Sequence, residues 1–316
     1  MQTIVQGGKI STPEIGLGCM RITGLDKKQA ESHIRTSIEL GVNFFDHADI
    51  YGRGECESHF AQSVGMTSSL RETMIIQTKC AIRPGICYDF SKEHILSSVE
   101  GSLKRLQTDY IDILLLHRPD ALMEPEEVAG AFATLKQAGK VKHFGVSNHN
   151  PYQIALLNRY LGDNTIIANQ MQLSITDCQM IDHGVNVNTD SPSAIDRDNG
   201  TLDYCRLHGI TIQAWSPFRY SKSTQPPLPS GFAKGCFMGS ENFSELGKKL
   251  NSLASKYDVA PEAVAAAWIL RHPAKIQTIV GTMNSARLKE ICRASDITLT
   301  REEWYELYKA GGKTLP

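Results

Sequence analysis

The chain has 316 residues, and none of its apolar stretches approaches the roughly 20 residues that a membrane-spanning helix needs. It also lacks an excess of charge, with 33 basic against 34 acidic side chains and a formal net charge of −1. No basic block resembles a nucleic-acid-binding arm, so neither nucleic acid nor an anionic membrane has an electrostatic claim on it. Met1 to Ile10 lacks the charged-then-apolar layout of a signal peptide. The eight cysteines, at 19, 56, 80, 87, 178, 205, 236 and 292, form no C-x-x-C pair and no zinc spacing. Scattered thiols in a chain of this length fit a reducing compartment, so a cytoplasmic location is expected. No metal site is expected: His143 and His149 flank a strand-like run with no close carboxylate or cysteine. A dinucleotide-fold reading of Gly16-Leu17-Gly18 fails because Arg21 stands where the third glycine belongs, and no acidic residue follows at the required spacing.

What the sequence does contain is a steady alternation of short apolar runs and helical patterns. Runs at 15–19, 42–45, 73–78, 111–116, 141–146, 165–168, 210–214 and 276–280 read as strands. Between them, helices are expected at 26–40, 55–64, 92–106, 125–138, from Pro151 onward, at 202–207, and at 285–292. Asp26 and Ser91 are the natural N-caps, and Gly41 and Gly139 the stops. Helices at 244–257 and 261–271 are expected between the seventh and eighth runs, and one at 301–309 closes the chain. Eight strand–helix units in one run, without a composition break, predict an α/β fold. The expected architecture is a (β/α)₈ TIM barrel with an N-terminal β-hairpin and extra C-terminal helices, one domain over residues 1–316. The hairpin, with Gly7-Gly8 at its turn, should plug the bottom of the barrel. Two long loops, 171–199 and 217–240, follow the sixth and seventh strands and should wall a pocket.

Parallel barrels gather their strand ends, and their chemistry, on one face. Asp46, Lys79 and His117 stand just past the second, third and fourth runs, and Tyr51 follows five residues after Asp46. A carboxylate beside the amine keeps it charged, and that cation should lower the phenol toward a useful range. The imidazole would orient a substrate oxygen. Separately, each residue reads equally well as structural; together on one face they form a device for protonating a carbonyl oxygen. Ser147-Asn148 after the fifth strand and Asn169-Gln170 after the sixth offer amides that match a carboxamide. Trp215 after the seventh could stack on a flat ring. Gly281-Thr282, leading to a helix that carries Arg287, suits a phosphate.

The segments Asp46-His47-Ala48-Asp49-Ile50-Tyr51-Gly52, Ile76-Gln77-Thr78-Lys79, Leu115-Leu116-His117-Arg118-Pro119, Gly145-Val146-Ser147-Asn148 and Ala214-Trp215-Ser216-Pro217 resemble, in order, the signatures of the aldo-keto reductase superfamily. The resemblance covers nearly the whole chain, and within the superfamily it points to the bacterial oxidoreductases of the YdhF type. It implies a nicotinamide-dependent carbonyl reductase in which Tyr51 is the general acid, Lys79 and Asp46 tune it, and His117 orients the substrate. Histidine at 117, in place of the glutamate of the steroid double-bond reductases, implies C=O rather than C=C reduction. Ser147, Asn148 and Gln170 would hold the carboxamide. Met20 and Arg21 would approach the nicotinamide ribose, Asp46 would also contact the cofactor, and Trp215 would stack on the ring. Ser216, Pro217 and Phe218 would lead to the pyrophosphate. Gly281, Thr282, Arg287 and Glu290 match the family's last cofactor-binding positions, where Thr282 and Arg287 would bind the 2′-phosphate. Gly281-Thr282 replace the Lys-Ser of many NADPH-specific members. NADP(H) is still the implied cofactor, with NAD(H) the alternative. The expected partner is a small carbonyl substrate, and the expected state a monomer. Two rivals are a regulatory role like that of potassium-channel β subunits and a Schiff-base lyase acting through Lys79.

Overall fold

A computed structural model describes residues 1–220 and 235–316. The eight expected strands close into one barrel. They are β1 (Ile15–Gly18), β2 (Phe44–Asp46), β3 (Ile75–Cys80), β4 (Ile111–Leu116), β5 (Val141–Ser147), β6 (Ile166–Gln172), β7 (Thr211–Trp215) and β8 (Gln277–Val280). Each pairs in parallel with the next, and β8 closes back on β1. The connecting helices are α1 (Lys27–Glu39), α2 (Glu55–Val64), α3 (Lys92–Leu106), α4 (Pro125–Gln137), α5 (Pro151–Tyr160) and α6 (Thr201–Leu207). The chain continues with α7 (Ser244–Tyr257), α8 (Pro261–Leu270), α9 (Ser285–Cys292) and α10 (Arg301–Ala310). The result is a (β/α)₈ barrel. Local chemistry explains the helix ends: Asp26 closes a capping box with Gln29, Ser91 accepts from His94 N–H, and Asn284 accepts from Arg287 N–H.

Strand periodicity divides the buried residues into two sets. Outward positions pack against the helices in the larger core. Inward positions include Phe44, Ile113, Leu115, Ala168 and Ile279, which form a separate apolar cluster inside the barrel. The same inward parity carries Asp46 on β2, Lys79 on β3, His117 just past β4, Ser147 on β5, Gln170 on β6 and Trp215 on β7. The residues expected to act together therefore share one interior.

The hairpin, Thr3–Gln6 paired with Ile10–Pro13, closes the end where the strands begin. Gly7 sits at φ +54, and a Cβ there would stand 2.5 Å from Ile167 Cβ, so the turn lies directly on the barrel floor. Gln6 reaches inward to Gln277 Oε1 at 2.8 Å.

Two expectations need correction. The sixth strand does not stop at Ala168; it runs on to Gln172, so Asn169 and Gln170 lie within it rather than after it. The segment 171–199 is not an open pocket wall, and the described residues that line the two cavities include none of it. It folds into a short helix, Gln179–Val185, which docks on the C-terminal segment. There Asp182 accepts from Tyr308 OH at 3.0 Å and from Lys313 Nζ at 2.6 Å. Much of the loop 217–240 lies outside the described residues.

Candidate active site

Asp46 is the last residue of β2 and Lys79 the penultimate residue of β3, so both stand within strands that run further than the apolar pattern suggested. His117 follows β4 directly, its N–H donating to Cys80 O at 3.0 Å. Tyr51 opens a 3₁₀ turn, Tyr51–Gly54, that doubles back after β2. Gly52, Arg53 and Gly54 take φ values of 57, 57 and 92° there, in the left-handed region that favours glycine.

The four groups converge. Lys79 Nζ donates to Asp46 Oδ1 at 2.8 Å and Oδ2 at 2.7 Å, to His47 O at 2.8 Å, and to Tyr51 OH at 3.2 Å. The Tyr51 and His117 rings meet edge to face, 5.9 Å between centroids. Burial works against the charge on Lys79, but Asp46 and Tyr51 outweigh it, and the amine's pKa stands above its ordinary value. The phenol departs from expectation. Burial pushes the Tyr51 pKa up, Lys79 pulls it down and Asp46 pushes it up again, so its net direction is upward. Tyr51 is therefore held as a proton carrier. Burial and then Lys79 depress His117 well below its ordinary value, leaving a neutral imidazole.

Tyr51 and His117 line a cavity of about 330 Å³ at the end where the strands finish. Lys79 lies beneath it, fully buried. Asp46, Ser147, Asn148 and Gln170 form the floor. Asn148 Nδ2 donates to Ser147 Oγ at 2.8 Å, and Trp215 Nε1 donates to Asn148 Oδ1 at 3.3 Å, which pins the indole over that floor. Asn148 and Ser216 hold φ values of 60 and 55°, a conformation that side chains rarely adopt and that concentrates at functional sites. Ser216, Pro217 and Phe218 also line it, as do Met20 and Arg21. Gly281, Thr282 and Arg287 complete the far end, where a second cavity of about 540 Å³ shares Phe218, Cys236 and Arg287 with the first. Glu290 is not among the lining residues; it lies further along α9. The cavity therefore presents both the Tyr51–His117 pair and the residues at the start of α9.

Several supporting residues escaped the sequence reading. His33 on α1 pins the loop before α9, its Nδ1 2.8 Å from Ser285 Oγ and its Nε2 3.1 Å from Thr282 O. The guanidinium of Arg21 donates to Gly281 O and ties the same loop to β1. Arg118, Arg219 and Cys236 also line the cavity. Glu57 is fully buried beside the cluster, accepting from Thr78 Oγ1 at 2.6 Å and from Arg105 Nε at 2.7 Å. The signal for it was a glutamate in the first turn of α2, close in sequence to Tyr51. Away from the cavity, His183, Asp196 and Asp198 bring ligand-type atoms within 4.8 Å of one another. Both acids already accept backbone N–H groups of their own turn, from Asp198, Asn199 and Thr201.

The Aldo/keto reductase family model matches residues 14–311. The chain is 33% identical to Oxidoreductase YdhF of Escherichia coli (strain K12), over 96% of this chain and 95% of that protein. It is 33% identical to a 6-dehydroglucose reductase of Agrobacterium fabrum (strain C58 / ATCC 33970), over 98% of this chain and 97% of that one. Among solved structures, the Bombyx mori aldo-keto reductase AKR2E4 in complex with NADP superposes with a TM-score of 0.69 at 21% identity, over 98% of this chain and 92% of that chain.

Proposed function

Because the chain belongs to the aldo/keto reductase family and stands close to its YdhF-type members, we propose that it reduces an aldehyde or ketone carbonyl to the alcohol by hydride transfer from NADP(H), with NAD(H) the alternative cofactor. The observation that carries this reading is the contact of Lys79 Nζ with Tyr51 OH at 3.2 Å, on a cavity that also presents His117.

The residues fit a nicotinamide dinucleotide in kind and in order. Gln170 spends its amide hydrogens on Asp46 and Gln213, so its Oε1 is left to accept from a carboxamide. Ser147 and Asn148 lie beside it, and Trp215 offers a flat face above. Met20, Arg21, Ser216, Pro217 and Phe218 would border the ribose and pyrophosphate. The start of α9, with Gly281 and Thr282 before it, would face a phosphate. Arg287 would meet the charge that distinguishes NADP(H). The 6-dehydroglucose reductase relative and the NADP-bound Bombyx structure are in keeping with this assignment.

When bound, the nicotinamide supplies the hydride. The chain's own residues do the rest. Neutral His117 donates a hydrogen bond to the carbonyl oxygen and orients it. Tyr51, kept protonated by burial, gives its proton to that oxygen as charge develops there. Lys79 then faces the phenolate, and Asp46 holds Lys79 in place. A Schiff-base role for Lys79 fits poorly, since its amine is charged and committed to four acceptor atoms. The reading carries with it a cytoplasmic monomer of one domain, residues 1–316, acting on a small carbonyl substrate. Tyr51→Phe should lower turnover roughly a hundredfold or more while leaving NADPH affinity unchanged. Near-normal turnover in that variant would remove Tyr51 from the chemistry and this reading with it.

A further inference from the structure

The barrel interior is not apolar throughout. Gln6, Gln77, Gln170, Gln213 and Gln277 are all at most 2% exposed. Gln170, Gln213 and Gln277 are register partners on β6, β7 and β8, and Gln77 on β3 is the register partner of Asp46 on β2. Together they form one hydrogen-bonded column from the hairpin plug to the catalytic carboxylate.

The direction of every amide in the column follows from its top. Asp46 as a carboxylate only accepts, so Gln77 and Gln170 must turn their Nε2 atoms toward it, at 2.6 and 3.1 Å. Their second hydrogens meet Gln213 Oε1, at 2.9 and 3.1 Å. That fixes Gln213, whose Nε2 donates to Gln6 Oε1 at 3.0 Å and to Gln77 Oε1 at 2.9 Å. Gln6 Nε2 then donates to Gln277 Oε1 at 2.8 Å, and Gln277 Nε2 to Pro13 O at 2.8 Å. No buried amide hydrogen of the column lacks an acceptor, for Thr12 Oγ1 takes the remaining ones of Gln6 and Gln277 at 3.0 and 3.3 Å. A satisfied network of this kind holds one arrangement rigidly and polarises along its length.

We propose that Gln77 and Gln213 are positioning residues for the proton donor. They touch neither cavity nor substrate, and they act by holding Asp46 and compensating its charge. Asp46 Oδ1 accepts three donors, from Lys79, Gln77 and Gln170. Each amide donor draws negative potential away from Tyr51, 3.2 Å beyond Lys79 Nζ. Removing one leaves more of the Asp46 charge facing the phenol, and the phenol then binds its proton more tightly. Gln213 acts one step back, by fixing the amides of both Gln77 and Gln170. The inference rests on the reductase reading for its meaning, but its test does not need turnover.

The test is an ultraviolet titration of tyrosinate absorbance in the full-length protein. Each variant is measured with and without Tyr51→Phe, so that the difference isolates residue 51 among the ten tyrosines. Gln77→Met and Gln213→Met, which keep length and remove the amide, should move the Tyr51 midpoint upward by roughly half a unit or more. Gln277→Met, at the floor, should lower the melting temperature and leave that midpoint in place. Either of the first two variants suffices if the other fails to fold. Midpoints that coincide with the wild type in both, or an equal shift in Gln277→Met, would overturn the proposal. Full activity of Tyr51→Phe would instead overturn the reductase reading and leave this titration result standing.

Discussion

At Tyr51, burial and Asp46 favour the bound proton, while Lys79 favours its loss. The first pair wins, so the phenol is a reservoir of a proton and not a phenolate in waiting. An isolated cation–phenol pair would suggest the opposite sign, and the motif by itself cannot weigh the enclosure around it. His117 follows the same physics: burial and the Lys79 charge drive its pKa well below its ordinary value, so the ring is uncharged throughout the neutral range. The sign gives a prediction. Below its depressed pKa the ring would take a proton; above it nothing changes on the imidazole. The turnover number for carbonyl reduction should therefore stay flat from about pH 6 to about pH 8, with no limb near the usual imidazole value of about 6.5. A limb centred there would show that His117 titrates normally and does not act as a neutral donor.

The strands place these side chains by parity. Phe44 and Asp46, Leu115 and His117, Gly145 and Ser147, and Gln213 and Trp215 each stand two residues apart on the inward face. Gly145 shows how little room that face leaves. A Cβ there would stand 2.5 Å from Leu115 Cδ2 and 2.8 Å from Ala168 O, and the second of these is backbone. Gly145→Ala should thus cost about 1–3 kcal/mol, read as a lower urea midpoint at unchanged slope. An unchanged midpoint would contradict the close approach of β4, β5 and β6. Elements governed by local rules were legible. Lys92–Leu106 stands where its apolar periodicity and the Ser91 cap put it, because a cap and a stripe need no distant partner. Strand ends were less legible. The inward residues at the ends of β3 and β6 are polar, so the apolar run stops before the ladder does, and the sequence pattern places Lys79 and Gln170 beyond their strands. Gln77 and Gln213 escaped notice because a glutamine within a short apolar run has no meaning until the barrel closes and brings five of them together.

At the scale of the molecule, the barrel separates support from chemistry. The hairpin and the glutamine column occupy the floor and the axis, and the cavity opens at the other end. The loop after β6, expected beside that cavity, is held instead by Tyr308 and Lys313 near the C-terminus. Contacts more than a hundred residues apart in sequence leave no local signature, which is why that placement was not legible. Trp215 lines the cavity, whereas Trp268 and Trp304, which stack on each other with ring centroids 4.6 Å apart, are not among its lining residues. Tryptophan emission therefore reports on occupancy of the site. The measurement that bears most directly on the central claim is a fluorescence titration of the full-length protein with NADPH and, separately, NADH. The account predicts saturable quenching with one dinucleotide per chain, tighter for NADPH, and reduced by Trp215→Phe. Absence of saturable binding by either dinucleotide would contradict it.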